Sequence, residues 1–261
     1  MPERLIRIGV QVAQYGAPWS ALLATAQEAE AMGVDQLFNW DHFFGPGPNS
    51  QASHFECWTL LAAWAAMTSR IELGPLVSAI GYRSPDLVAD MARTIDHVSG
   101  GRFVLGLGAG FKARDFDEYG YAFGTAASRI SDLALGTVRI RRRLERLNPP
   151  PLRPIPILIG ASGERRALRV VAEHADIWHT FADGHDFARK SAILARHCEE
   201  IGRDPGEIER AVLVHGHPGE VGDPLLALGA TLFVVPLHDR PEPNLTHVAT
   251  WLAWRDYHNG L

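Results

Sequence analysis

Ile71-Glu72-Leu73-Gly74-Pro75-Leu76-Val77, a helical pattern over 85–98, and then Phe103-Val104-Leu105-Gly106-Leu107 read as strand, helix, strand. Both strands are short and rich in Val, Ile and Leu, as parallel strands covered on both faces are. Pro85 suits the first turn of the helix, where its missing N–H costs nothing. The same unit repeats outward in both directions. Upstream, strands over 6–12 and 36–39 flank a helix over 19–32, with Leu22, Leu23, Ala26 and Ala29 at helical spacing and Gly33 as its stop. A helix over 55–68 leads back to the opening strand. Downstream come helix 127–147, strand 157–159, helix 164–173, strand 177–179, helix 186–201, strand 211–214, helix 224–228, strand 232–235 and helix 245–257. Eight strands and eight helices thus alternate over 261 residues, and about 250 residues is the usual size of an α/β barrel. The predicted fold class is α/β, a (β/α)8 TIM barrel, forming one domain over 1–261. A doubly wound sheet shares the alternation, but eight repeats in this length favour closure. Pro149, Pro150, Pro151, Pro154 and Pro156 make a stiff connector too short to be an interdomain linker.

Apolar residues are 46% of the chain and charged residues 21%, enough apolar material for a sizeable core. The net charge is −5, and no Lys/Arg run suggests a nucleic-acid groove. The densest basic stretch, Arg139 to Arg143 plus Arg146, lies on a helical pattern and reads as a solvated face. Cys57 and Cys198 each sit inside a helical pattern, which makes no disulfide framework and points to a reducing compartment. The start of the sequence runs into a strand without an apolar leader core. No apolar stretch approaches the roughly 18 residues that span a bilayer. The expectation is a cytoplasmic protein without membrane or nucleic-acid partners.

Barrel active sites form at the C-terminal ends of the strands. After the second strand comes Asn39-Trp40-Asp41-His42-Phe43-Phe44. An acid beside an imidazole there can steer a proton or hydrogen-bond a polar ring; a helix cap with a packed histidine is the plainer reading. After the third strand, Gly74 to Ser78 and Tyr82-Arg83-Ser84-Pro85 read as a loop with a helix start. After the fourth, Gly106-Leu107-Gly108-Ala109-Gly110-Phe111 alternates glycines that let backbone approach a ligand. It is not a dinucleotide fingerprint, because the third glycine is misplaced and no helix is expected for many residues. After the fifth, Gly160-Ala161-Ser162-Gly163-Glu164 opens a helix, so free amides and the helix dipole favour a phosphate, with Ser162 as a simple N-cap the alternative. Trp178-His179-Thr180 lines the mouth or packs against it. His215 and His217 stand two apart on the seventh strand with no third ligand, so no metal is expected.

In this order, these segments resemble the luciferase-like monooxygenase superfamily, and most closely its deazaflavin (coenzyme F420)-dependent oxidoreductases. The resemblance is carried by Trp40-Asp41-His42-Phe43, by the run from Ile71 to Val77 and on through Tyr82-Arg83-Ser84-Pro85, and by Ile95-Asp96-His97-Val98-Ser99-Gly100-Gly101-Arg102-Phe103. Leu105 to Gly110, Pro156 to Gly160 and Ala175-Asp176-Ile177-Trp178 complete it, so that it covers nearly the whole chain. It implies a luciferase-like barrel whose cofactor ring lies in the mouth near Asp41 and His42, with His42 as catalytic proton donor and Asp41 orienting it or bonding the ring. It further implies cofactor contacts at Gln11, Pro75, Leu76, Val77, Gly108, Ala109, Gly110, Gly160, Ala161, Ser162, Gly163 and Trp178. A non-prolyl cis peptide behind the ring would fall at Pro75–Leu76. The implied activity is hydride transfer to or from a small organic substrate with coenzyme F420. FMN-dependent monooxygenation is the alternative, and a non-catalytic barrel serving as a binding or structural subunit is an alternative of another class. Pairing through helices into a homodimer is also implied. Three features depart from the pattern: Ala161 where relatives often have a second glycine, Phe111 where Trp is typical, and a short connector over 148–153 where many relatives carry an insertion.

Overall fold

The computed structural model describes residues 4–47, 51–181, 183–237 and 245–261. Met1 to Glu3, part of the opening stretch, lie outside them. In chain order the elements are β1 (Arg7–Val12), α1 (Trp19–Met32), β2 (Gln36–Asn39), α2 (Cys57–Met67), β3 (Glu72–Pro75), β4 (Ser78–Ala79), α3 (Pro85–Ser99), β5 (Leu105–Gly108), α4 (Ala113–Tyr119), α5 (Ala126–Leu144), β6 (Ile157–Gly160), α6 (Ala167–His174), β7 (Ile177–Thr180), α7 (Gly184–Glu200), β8 (Glu209–Leu213), α8 (Asp223–Ala227), β9 (Leu232–Leu237) and α9 (Val248–Asn259).

The strands form one parallel sheet in the order β3-β2-β1-β9-β8-β7-β6-β5-β4. β3 and β4 are halves of the single third strand expected from the sequence. Between them lies a cis peptide bond at Leu76–Val77, one residue beyond the expected Pro75–Leu76. The barrel closes where Leu73 bridges Phe103 in parallel. Two glycines permit that seam. A Cβ on Gly74 would stand 2.0 Å from the Val104 carbonyl oxygen, and one on Gly106 would stand 1.8 Å from that of Pro75.

Strand alternation sorts the side chains into two layers. Phe38, Leu76, Val104, Leu158, Ile177, Ala211, Leu232 and Val234 fill the barrel interior. Val10, Val12, Leu37, Leu105, Leu107, Ile157, Ile159, Trp178, Val212, Phe233 and Val235 point outward into a larger core shared with the helices. The N-terminal end of the barrel holds an ionic cluster. Arg7 bonds Glu72 at 2.8 Å and Glu209 at 3.1 Å through its Nε, and Gln36 and Arg153 add donors to Glu72 at 2.7 and 3.0 Å.

The helix ends follow local chemistry. Gly33 and Gly100 close α1 and α3 in the left-handed region, at φ 86° and 69°. Thr125 and Ser128 cap α5 reciprocally. Arg102 satisfies the end of α2, donating to the carbonyls of Ala65, Thr68 and Ile71 at 2.9, 2.8 and 2.6 Å. The short connector is tied to α3 by Asp96, which accepts from the Leu152 N–H at 2.7 Å, and by Arg93 and His97, which donate to the Pro149 and Pro150 carbonyls.

Three expectations change. A helix, α4, follows the β5 glycines within a few residues, where none was expected. α6 begins at Ala167 rather than 164, and Ser162 does not cap it. The carbonyl of Glu164 is taken by His197 on α7 at 2.9 Å, and Gly163 accepts from Leu168 at 2.9 Å, so residues 164–166 form a turn instead of the first helical turn. His215 and His217 lie beyond the end of β8, where His217 caps a wide turn over Pro218–Gly222. Among the described residues, no group of three His, Cys, Asp or Glu could hold a metal ion, and no helix is long and apolar enough to cross a membrane.

Candidate active site

The C-terminal ends of β1, β2, β5, β6 and β7 bring most of the expected residues to one mouth. His42 follows β2 and is half-buried. Its Nδ1 lies 2.6 Å from Oδ2 of Asp115, on α4. The carboxylate accepts there, so Nδ1 carries the proton. Tyr82 donates its hydroxyl to the same oxygen at 3.1 Å, and the Phe43 N–H reaches Oδ1 at 3.4 Å. Asp115 is fully buried. Burial alone would raise its carboxyl pKa, but the hydrogen bond and charge of His42, with help from Lys112 and Tyr82, hold it below the ordinary range. Burial and then Asp115 push the Tyr82 phenol well above its usual pKa, so it remains a donor. This arrangement fixes the imidazole plane and leaves Nε2 without a partner among the described residues.

Asp41 does not orient His42, contrary to the expectation from their adjacency. It is 2% exposed and turned the other way. Oδ2 accepts from Ser78 at 2.6 Å and from Arg83 at 2.5 Å, and Oδ1 accepts from Arg83 at 3.1 Å. Arg83 also bridges to Glu56 at 2.8 Å. Its carboxylate is saturated, so Asp41 braces the loop over β4 and is closed to a ring. Sequence reasoning missed Asp115, braced by Tyr82, as the partner of His42, and Ser78 and Arg83 as the partners of Asp41. An acid following the β5 glycines was the available signal.

The mouth floor is Val77. It is the one residue from Leu73 to Ala79 that is not buried, and its side chain packs where Cβ atoms on Gly108 and Gly160 would stand, 2.5 and 3.1 Å from its methyls. Gln11, at the end of β1, holds the Leu76 carbonyl at 2.7 Å and so anchors this floor from below. Leu76 itself faces the interior core, and Pro75 and Gly108 are buried. Ala109, Gly110, Gly160 and Ala161 reach the surface of the mouth, with Ser162 and Gly163 exposed beside Arg165 and Arg166. Arg129 on α5 donates to the Gly110 carbonyl at 3.0 Å and stabilises that loop.

Trp178 is not a mouth residue. It is completely buried on the helix side of β7, stacked on Phe187 of α7, with its indole N–H on the Ala161 carbonyl at 2.9 Å. Its neighbour His179 takes the inward position instead. Around the rim stand Trp40, stacked on Tyr15, and Phe111, edge-on to His42 at 5.4 Å and 75% exposed. His54 accepts from the Trp40 indole at 3.4 Å, and burial, then His42 and Lys112, push its pKa down to about 4. A cavity of about 490 Å³ opens between the loops after β7 and β8, lined in part by Phe181, Leu213 and His215.

These residues fit a flat ring carrying a polar tail. The floor is small and apolar, the Nε2 of His42 has no partner among the described residues, and inside the wall the buried Nε2 of His179 has none among them either. Gly160 to Gly163, with the cationic side chains after them, can take an anionic end.

A family model described as luciferase-like monooxygenase matches residues 5–224. A Mycobacterium tuberculosis protein named as a coenzyme F420-dependent oxidoreductase is 28% identical over 206 residues, 67% of this chain and 55% of that protein. Pyrimidine monooxygenase RutA of Enterobacter sp. (strain 638) is 28% identical over 223 residues, 76% of this chain and 61% of that protein. The chain therefore spans between one half and two thirds of the length of these curated relatives. The solved coenzyme F420-dependent tetrahydromethanopterin reductase of Methanopyrus kandleri shares the fold, with a TM-score of 0.71 at 18% identity over 89% of this chain and 93% of that one.

Proposed function

The chain belongs to the luciferase-like monooxygenase family, and we propose that it is a deazaflavin-dependent oxidoreductase that moves a hydride to or from a small organic substrate. The observation that carries this reading is His42. Its Nδ1 is held by the buried Asp115, and its other ring nitrogen has no partner among the described residues. Hydride transfer to a carbonyl, or from an alcohol, needs a proton delivered to or taken from the oxygen. A positioned imidazole can perform that role. When bound, coenzyme F420 would supply the hydride chemistry. The chain's own residues supply position and exclusion of water. Val77, Gly108 and Gly160 present a flat apolar floor, while Trp40 and Phe111 wall the substrate side. The Ala161 N–H is taken by the His179 carbonyl at 3.1 Å, so the exposed loop at Ser162 and Gly163, with Arg165 and Arg166, would hold the phosphate through backbone amides and charge. Asp115, itself held by the Tyr82 hydroxyl, keeps His42 in one orientation.

The similarity to the F420-dependent oxidoreductase, and the near-complete overlap with a barrel that uses coenzyme F420, support this choice of cofactor. The equal identity to RutA favours a second reading, FMN-dependent monooxygenation in the same mouth. Titrating the purified protein with coenzyme F420 and, separately, with FMN distinguishes them by quenching of cofactor fluorescence. Saturable quenching of F420 at micromolar protein is expected. Tight FMN binding without F420 binding would reverse the order, and binding of neither would leave a barrel without redox function.

A further inference from the structure

The mouth described above uses one face of β7 for nothing. His179 lies on the inward face, in register with Gly160 on one side and Ala211 on the other. Both neighbours are small, so the imidazole stands in a gap of the inner wall. It is 2% exposed, and its Nε2 is shielded from solvent without a hydrogen-bond partner. Burial pushes its pKa down to about 3, so the ring is neutral near pH 7. Native proteins leave few buried polar atoms unpaired, because an unmade hydrogen bond is a net loss on folding. Four other buried side-chain atoms share this state among the described residues, Gln36 Oε1, Arg93 Nε, Asp96 Oδ1 and Ser191 Oγ; His179 differs from them in standing on the inward face of a strand end at the mouth. One exposed ring lies against it. Phe181 stands edge-on to the imidazole at 5.0 Å, is itself 64% exposed, and lines the cavity between the β7 and β8 loops. So exposed a ring is held by little packing and turns at low cost.

We propose that His179 is a binding residue of the cofactor site, donating from Nε2 to a carbonyl or hydroxyl oxygen of the bound flavin-type cofactor once Phe181 turns aside. The proposal rests on the reading that a ring cofactor occupies the mouth. The partner is a neutral oxygen rather than the phosphate, because a neutral imidazole brings no charge to an anion, whereas Arg165 and Arg166 do. The Gly160–Gly163 loop begins at the strand position beside His179, which brings a cofactor held there within reach of the ring.

The test compares His179→Leu and His179→Gln with the wild type, by fluorescence titration with coenzyme F420 and with FMN and by melting of the cofactor-free proteins. Leu fills the gap without a polar atom, whereas Gln keeps an N–H donor. His179→Leu is expected to melt at or above the wild-type temperature while binding the cofactor about tenfold more weakly. His179→Gln is expected to recover affinity to within about threefold. His179→Leu binding as tightly as wild type would overturn the proposal and leave the cofactor reading intact. A His179→Leu protein that fails to fold would also overturn it, since an unpartnered imidazole contributes nothing that Leu cannot replace. Wild-type protein that quenches neither cofactor would remove the cofactor reading itself, and the proposal with it.

Discussion

The two ends of the barrel treat charge in opposite ways. At the N-terminal end, Arg7 sits between Glu72 and Glu209, with Gln36 and Arg153 closing on Glu72. Burial would lower the Arg7 pKa, but Glu209 and then Glu72 more than offset it and raise it. The charges of the cluster are paired, although the buried Oε1 of Gln36 has no partner among the described residues. At the C-terminal end, Asp41 and Arg83 are likewise paired with each other, yet among the described residues one nitrogen each of His42 and His179 has no partner. Barrels of this kind usually keep stability at the N-terminal face and chemistry at the C-terminal one, and the distribution of charge here matches that division.

That division can be broken most forcefully at Arg7. Arg7→Ala leaves the buried Glu209 without its cation and Glu72 with Arg153 alone, and should cost about 3 kcal/mol of stability in urea unfolding. Cofactor affinity should stay within about twofold; a larger change would mean that the ends are not separate. His42→Ala is the counterpart at the mouth. It should lower kcat about 100-fold, or about 2.7 kcal/mol on the barrier, on a panel of ketones and alcohols with the cofactor that binds. Its melting temperature should fall as well, because the buried Asp115 keeps only the Tyr82 hydroxyl and the Phe43 N–H; unchanged turnover of the folded variant would remove His42 from the chemistry.

Acid sharpens the comparison. The pKa values of His54 and His179 fall to about 4 and about 3 in the folded protein, from 6.5. A depressed folded pKa means that the unfolded chain binds the proton first. Their contribution is therefore fully present above pH 6.5 and is lost as pH falls toward the folded values. His179 alone should add about 1.4 kcal/mol of lost stability per pH unit below 6. His179→Leu should flatten the dependence of denaturant midpoint on pH by that amount, whereas Arg7→Ala should leave the His179 contribution in place. The smallest effect is expected at Gly160→Ala. The added methyl would meet Val77 at 3.1 Å, which asks for a shift of tenths of an ångström. Stability should change by under about 1 kcal/mol, while cofactor affinity, read by the same fluorescence titration, should fall about threefold. A loss of folding instead would show that the floor has no slack.

The repeat was readable because it is local. Strand Gln36–Asn39 and helix Trp19–Met32 have the bounds that the spacing predicts. α4 was not readable, because seven residues give too few turns for an apolar period to declare itself. Its Asp115 reaches His42 across 73 residues of chain, whereas Asp41, next to His42 in sequence, points elsewhere. The helix after β6 was placed three residues early, since a side chain on α7 claims a carbonyl that spacing would assign to the first turn.

The amino-acid order by itself determined the alternation, hence the barrel, and also the strand ends where the site would form. It also marked His42 and the glycines around the mouth. Only the tertiary structure decided which acid holds His42 and which face of β7 turns inward. The reason is physical. Barrel strands are buried on both sides, so Trp178 and His179 look alike to any pattern of apolar and polar residues. Only closure of the sheet sends one toward the helices and leaves the other, unpaired, inside the wall of the mouth.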